Sequence, residues 1–124
     1  MAGENVITFL SPLPMLLQTR FFNAKYDGKK YPGSGKCRGL QHGANCQYFV
    51  YEILKHYGYT MPNFRSSELW NDEVYTKRVK LLKPLDILFF NKKDEAYGAH
   101  IALNIGNNKI LHLCKEVGYP TVWD

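Results

Sequence analysis

A chain of 124 residues that is 45% hydrophobic and 15% aromatic is long enough for one domain with its own core and too apolar to be disordered. Its 16 Lys and Arg against 11 Asp and Glu give a formal charge of +5, which favours acidic partners without choosing among nucleic acid, an anionic polymer or none. Three cysteines, Cys37, Cys46 and Cys114, form no paired framework and point to a reducing compartment, or to one free reactive thiol in an exported protein. The start, Met1-Ala2-Gly3-Glu4-Asn5, lacks a basic n-region, and Phe9 to Leu17 is broken by Pro12 and Pro14, so no export signal is expected. No apolar run reaches the length of a membrane span. Localisation stays open: the cytoplasm, export by another route, or part of a longer protein.

In chain order, the Ser11-Pro12-Leu13-Pro14 break separates a short extended arm from a helix predicted over Met15 to Asn23. The single domain, 1–124, divides into an N-terminal arm and helix (1–30) and a core (31–124). From Ala24 to Gly43, glycines and Pro32 among basic residues read as a long loop, a type that tends to be functional. Asn45 is a good N-cap, and Phe49, Val50, Ile53, Leu54 and Tyr57 make one apolar helical face, with Glu52, Lys55 and His56 on the other and Gly58 as the stop. Cys46 thus opens a helix, where unpaired N–H groups and the positive dipole end are expected to lower a thiol pKa. After a loop over Tyr59 to Phe64, Ser66 or Ser67 is expected to cap a short helix over Glu68 to Tyr75. The stretch Lys77 to Lys83 interleaves cations with aliphatics and reads as a solvated face or as a docking surface for an anionic substrate. Leu85 to Phe90 reads as a buried strand and Asn91 to Tyr97 as a charged turn. Ala99 to Ile105 and Lys109 to Leu113 flank Gly106-Asn107-Asn108 as a hairpin.

Hydrolysis by a thiol needs a base and a third group that orients the base, and Cys46, His100 and His112 can fill these roles. Imidazole suits the base because both of its proton states are accessible near neutrality. The roles require both histidines on one face of the hairpin. A three-residue turn at Gly106 to Asn108, with Asn108 left-handed, places Ile105 opposite Lys109, Ala102 opposite His112 and His100 opposite Cys114, and it meets the requirement. A two-residue Asn107-Asn108 turn without a bulge sends the histidines to opposite faces. Cys37, His42 and Cys46 fit no common zinc spacing, and no metal or cofactor is expected. Cys114 shares the His112 face, where it lines the site or packs.

These residues resemble the NlpC family of papain-like cysteine hydrolases, which cleave amide bonds in bacterial peptidoglycan stem peptides. Asn45-Cys46-Gln47-Tyr48-Phe49-Val50 is similar to that family's Asp-Cys-Ser-Gly-aliphatic-Val, and Asp86-Ile87-Leu88-Phe89-Phe90 to its strand before the hairpin. His100-Ile101-Ala102-Leu103-Asn104-Ile105-Gly106-Asn107-Asn108 with Leu111-His112 resembles its hairpin. The likeness covers roughly Tyr31 to Leu113. Asn45 and Gln47-Tyr48 depart from the usual Asp and Ser-Gly.

The resemblance implies an α+β, papain-like NlpC-type domain with an N-terminal helical part packed on a small antiparallel sheet. Cys46 is then the nucleophile, His100 the base and His112 the orienting member. A tyrosine, Tyr31 first or Tyr26 second, completes the oxyanion site, and Asn45, Gln47, Arg65 and Ser66 border the substrate. The implied protein is a monomer acting on a peptide or peptidoglycan fragment, with no specific nucleic-acid partner. Two alternatives are a catalytically inactive binding module and a lipid or thioester acyltransferase or hydrolase of the same superfamily. The latter rests on a likeness of Asn45 to Val50 to the Asn-Cys-Glu-His-Phe-Val word of lecithin:retinol acyltransferase-like proteins. In those proteins the histidine precedes the cysteine, whereas His100 follows Cys46.

Overall fold

Alternation along Ile101 to Ile105 and Ile110 to Leu113 throws Ile101, Leu103, Ile105, Leu111 and Leu113 onto one side of a hairpin, and each of these side chains is fully buried. They join one hydrophobic cluster with Phe49, Val50, Ile53 and Leu54. The computed structural model describes residues 6–7, 17–90 and 100–123. Its centre is a four-stranded antiparallel sheet in chain order, β3 (Ile87–Phe90), β4 (His100–Gly106), β5 (Lys109–Leu113) and β6 (Pro120–Trp123). Two strands at the N-terminal end, β1 (Val6–Ile7) and β2 (Leu17–Gln18), pair separately. With helices α1 (Cys46–His56) and α2 (Ser66–Asn71) they complete a small α+β domain. Among the described residues, no helix is long and apolar enough to cross a membrane.

Helix α1 forms where the apolar period predicts it. Asn45 Oδ1 accepts the Tyr48 N–H at 2.8 Å, satisfying one donor left over at the helix start. At the other end Gly58 takes a φ of 95°, which a residue with a Cβ adopts only at a cost. The buried face, Phe49, Val50, Ile53 and Leu54, fixes the rotation of the helix against the sheet, and with it the position of Cys46 in the first turn.

The hairpin reaches the expected facing by a different turn. Asn107 and Asn108 both have positive φ, 52° and 58°, making a two-residue turn of the type whose twist matches the strands. Gly106, not Ile105, lies opposite Lys109, and the register shifts between Asn104 and Gly106. That bulge places one extra residue on β4, which undoes the parity change of the shorter turn. Leu103 therefore faces Leu111 and Asn104 faces Ile110, so His100 and His112 share a face.

Other expectations need correction. The helix predicted over Met15 to Asn23 is not formed: Leu17–Gln18 pair with Val6–Ile7, and Thr19–Asn23 is a 3-10 helix. Strand pairing takes the backbone groups a helix would have used, and Phe21 turns fully into the core. The N-terminal helical part is thus the short 3-10 helix Thr19–Asn23, which packs against β6 of the sheet. Helix α2 begins at Ser66 and stops at Asn71, because the Asp72 carboxylate accepts the N–H groups of Val74, Tyr75 and Thr76 and offers the backbone an alternative to another turn. Strand β3 begins at Ile87, since Leu85 has a φ of 77° and interrupts the extended run. Strand β6 went unforeseen, and the charged turn at 91–97 lies outside the described residues.

Candidate active site

Cys46 starts α1, and its Sγ is approached by the backbone N–H groups of Ile101, of Gln47 and of Cys46 itself. Ile101 follows His100 in β4, so the Ile101 N–H links the thiol to the strand that carries that histidine. Burial pushes the Cys46 thiol above its ordinary pKa, outweighing the three N–H groups and the positive charge of Arg65, which pull it down. The lowered pKa expected from the helix start is therefore reversed. Among the described residues no hydrogen bond joins Cys46 Sγ to the His100 ring, and the resting site holds a neutral thiol.

His100 and His112 meet directly, with His100 Nε2 and His112 Nδ1 2.9 Å apart and the rings edge to face. Burial holds His100 below the ordinary histidine range, against an upward pull from the Glu116 carboxylate. Burial also lowers His112, and a charge on His100 would lower it further. A shared hydrogen bond between two neutral rings needs one donor and one acceptor. If His100 is to offer a lone pair at Nδ1, its Nε2–H must donate to His112, and His112 must carry its proton on Nε2. That Nε2 is fully buried and has no hydrogen-bond partner. The Trp123 ring lies 3.9 Å from the His112 ring, centroid to centroid, and an indole face is a weak acceptor for such an N–H.

The lowered pKa values carry a sign for stability. In the unfolded chain both histidines take up protons as the pH falls below about 6.5, while in the fold they resist. The unfolded state then binds more protons, so stability is complete above that value and is lost as the pH falls toward the lower folded pKa values. Thermal unfolding should shift to lower temperature between about pH 7 and about pH 5, and less so in a His112→Asn variant. An unfolding midpoint independent of pH over that range in the unaltered chain would contradict the buried neutral pair.

Tyr26 is electrostatically coupled to Cys46. Burial raises its phenol pKa, followed by the effects of Cys46, Glu116, Asp27 and Cys114, so the hydroxyl stays protonated and can donate. Its backbone forms a parallel bridge with Ala44, two residues before Cys46, and its N–H donates to Gly118 O at 2.8 Å. Tyr31, favoured from the sequence, lies under the Arg65 guanidinium at 4.0 Å, and its carbonyl accepts the Cys37 thiol.

The remaining candidates divide. Asn45 is buried as the helix cap, and the Gln47 side chain is buried too, with Nε2 donating to Tyr51 Oη and to the Phe64 carbonyl. The Asn45 side chain thus caps α1 and the Gln47 side chain ties it to the loop at Phe64, so both residues expected to border the substrate are engaged within the protein. Arg65 is exposed and its charge reaches Cys46, while Ser66 is buried at the start of α2. Cys114 is buried. Sequence reasoning missed Glu116, which acts on His100, and Trp123. A short Pro-Thr-Val-Trp run after Gly118 was the available signal for the strand that carries Trp123. No family model matches the chain, and no curated protein or solved structure gives a match either.

Proposed function

We propose that this chain is a papain-like cysteine hydrolase of the NlpC type that cleaves an amide bond in a peptide, with peptidoglycan stem peptides as the substrate class. The observation that carries the reading is the 2.9 Å contact of His100 Nε2 with His112 Nδ1, in a hairpin whose Ile101 N–H reaches the thiol that opens α1. This contact engages the far nitrogen of His100 and leaves Nδ1 for the thiol. The raised thiol and lowered imidazole fit general-base attack from a neutral pair rather than a standing thiolate and imidazolium. In the reaction, Cys46 Sγ passes its proton to His100 and bonds to the amide carbon. The Cys46 N–H and the Tyr26 hydroxyl receive the oxyanion, and His100 returns the proton to the leaving amine. Water activated by the same imidazole then attacks the thioester and frees Cys46.

Incubating the protein with soluble peptidoglycan fragments, beside a Cys46→Ala variant, tests the proposal. New amine termini should accumulate only with Cys46 present. Equal product from both proteins would remove Cys46 from the chemistry.

A further inference from the structure

Between α2 and β3 the chain runs through Val74-Tyr75-Thr76-Lys77-Arg78-Val79-Lys80-Leu81-Leu82-Lys83, with no helix or strand. Both ends are pinned. Asp72 accepts three backbone N–H groups at the start, and at the finish Asn104 Nδ2 donates to Lys83 O at 2.8 Å while the Lys83 N–H donates to Asp86. A segment pinned this way could fold its aliphatic side chains inward, but it does the reverse. Leu81 is 81% exposed and Val74 84%, and Tyr75, Val79 and Leu82 are also exposed. Within 77–83, four of seven residues are cations and none is acidic. Among the described residues, no carboxylate lies within ion-pair distance of any of these cations. Arg78 stacks on the exposed Trp70 at 4.2 Å, bringing an indole to the same segment.

A solvated basic face explains the cations and leaves the aliphatics unexplained. A polyanion such as nucleic acid has the same shortfall, since leucines add nothing to phosphate binding. An anionic lipid surface uses both: headgroup phosphates attract the lysines, acyl chains receive the leucines, and Trp and Tyr suit the boundary between them. We infer that residues 74–83 are a membrane-docking strap that seats the domain on anionic bilayers. The inference stands apart from the proposed hydrolase chemistry, because no residue of the strap belongs to the candidate active site.

Co-sedimentation with vesicles tests it, using phosphatidylcholine alone and phosphatidylcholine with about one-third phosphatidylglycerol. The protein should partition to the anionic vesicles at least about tenfold better than to the neutral ones. Leu81→Ser with Leu82→Ser should reduce that binding by about tenfold, as should Lys77→Gln with Lys80→Gln and Lys83→Gln. Unchanged thermal unfolding would show both variants to be folded, as their exposure leads one to expect. The inference fails if anionic vesicles are not bound. It fails equally if the double-serine variant binds them as well as the unaltered protein, or if heparin binds both of those proteins alike and displaces the vesicles.

Discussion

His100→Ala should lower kcat/KM on a stem-peptide substrate by about 10²- to 10⁴-fold, mostly through kcat, while leaving the protein folded. His100 lies at the first position of β4 and is partly exposed, so its removal leaves the fully buried aliphatic face of the hairpin intact. On the proposed mechanism it removes the group that takes the proton of a thiol whose burial keeps it neutral. The pH profile separates this role from a structural one. His100 must be neutral to accept the proton, so activity rises with pH through its pKa, and burial places that rise below the ordinary histidine value of about 6.5. Removing Glu116, whose carboxylate pulls the same pKa upward, should move the rise to still lower pH. If His100→Ala kept full Cys46-dependent activity, the base would have to be sought elsewhere.

The features legible in the sequence are those set by local period. Asn45, the apolar face of α1 and Gly58 fix a helix that begins at Cys46, and each acts within a few residues of itself. The shared face of His100 and His112 was required by the catalytic reading but not fixed by local alternation, because it depends on the register between the two strands. Gly106-Asn107-Asn108-Lys109 is compatible with either turn length, and the bulge at Ile105 is chosen by the burial of Leu103 opposite Leu111. The thiol pKa illustrates the same boundary. A helix start is visible in a sequence, whereas the packing that desolvates Cys46 and overrides it comes from residues distant in the chain. The stop of α2 was hidden for a smaller reason: Asp72 looks like one more helical residue until its carboxylate is seen to collect three N–H groups.

Choosing between Tyr31 and Tyr26 also required tertiary information, and it leads to the second large effect. Both tyrosines precede the nucleophile within the glycine-rich loop, and the resemblance ranks Tyr31, in Tyr31-Pro32-Gly33, above Tyr26, in Tyr26-Asp27-Gly28. The backbone ties both to the chain just before Cys46, since Tyr26 bridges Ala44 and the Asn45 N–H donates to the carbonyl of Lys30, beside Tyr31, at 3.0 Å. In the proposed mechanism the Tyr26 hydroxyl, which burial and the charge of Cys46 keep protonated, donates to the oxygen that becomes negative as the thiol attacks. Tyr26→Phe deletes that donor and little else, so kcat should fall by about 10²- to 10³-fold, corresponding to about 3 to 4 kcal/mol of lost transition-state stabilisation, with KM nearly unchanged. Tyr31→Phe keeps the ring that stacks on Arg65 and should cost no more than about twofold, because that contact uses the ring and not the hydroxyl. The opposite ranking of the two variants would assign the oxyanion donor to Tyr31. It would also mean that the loop carrying Arg65, rather than the Tyr26 bridge to Ala44, organises the substrate side of Cys46.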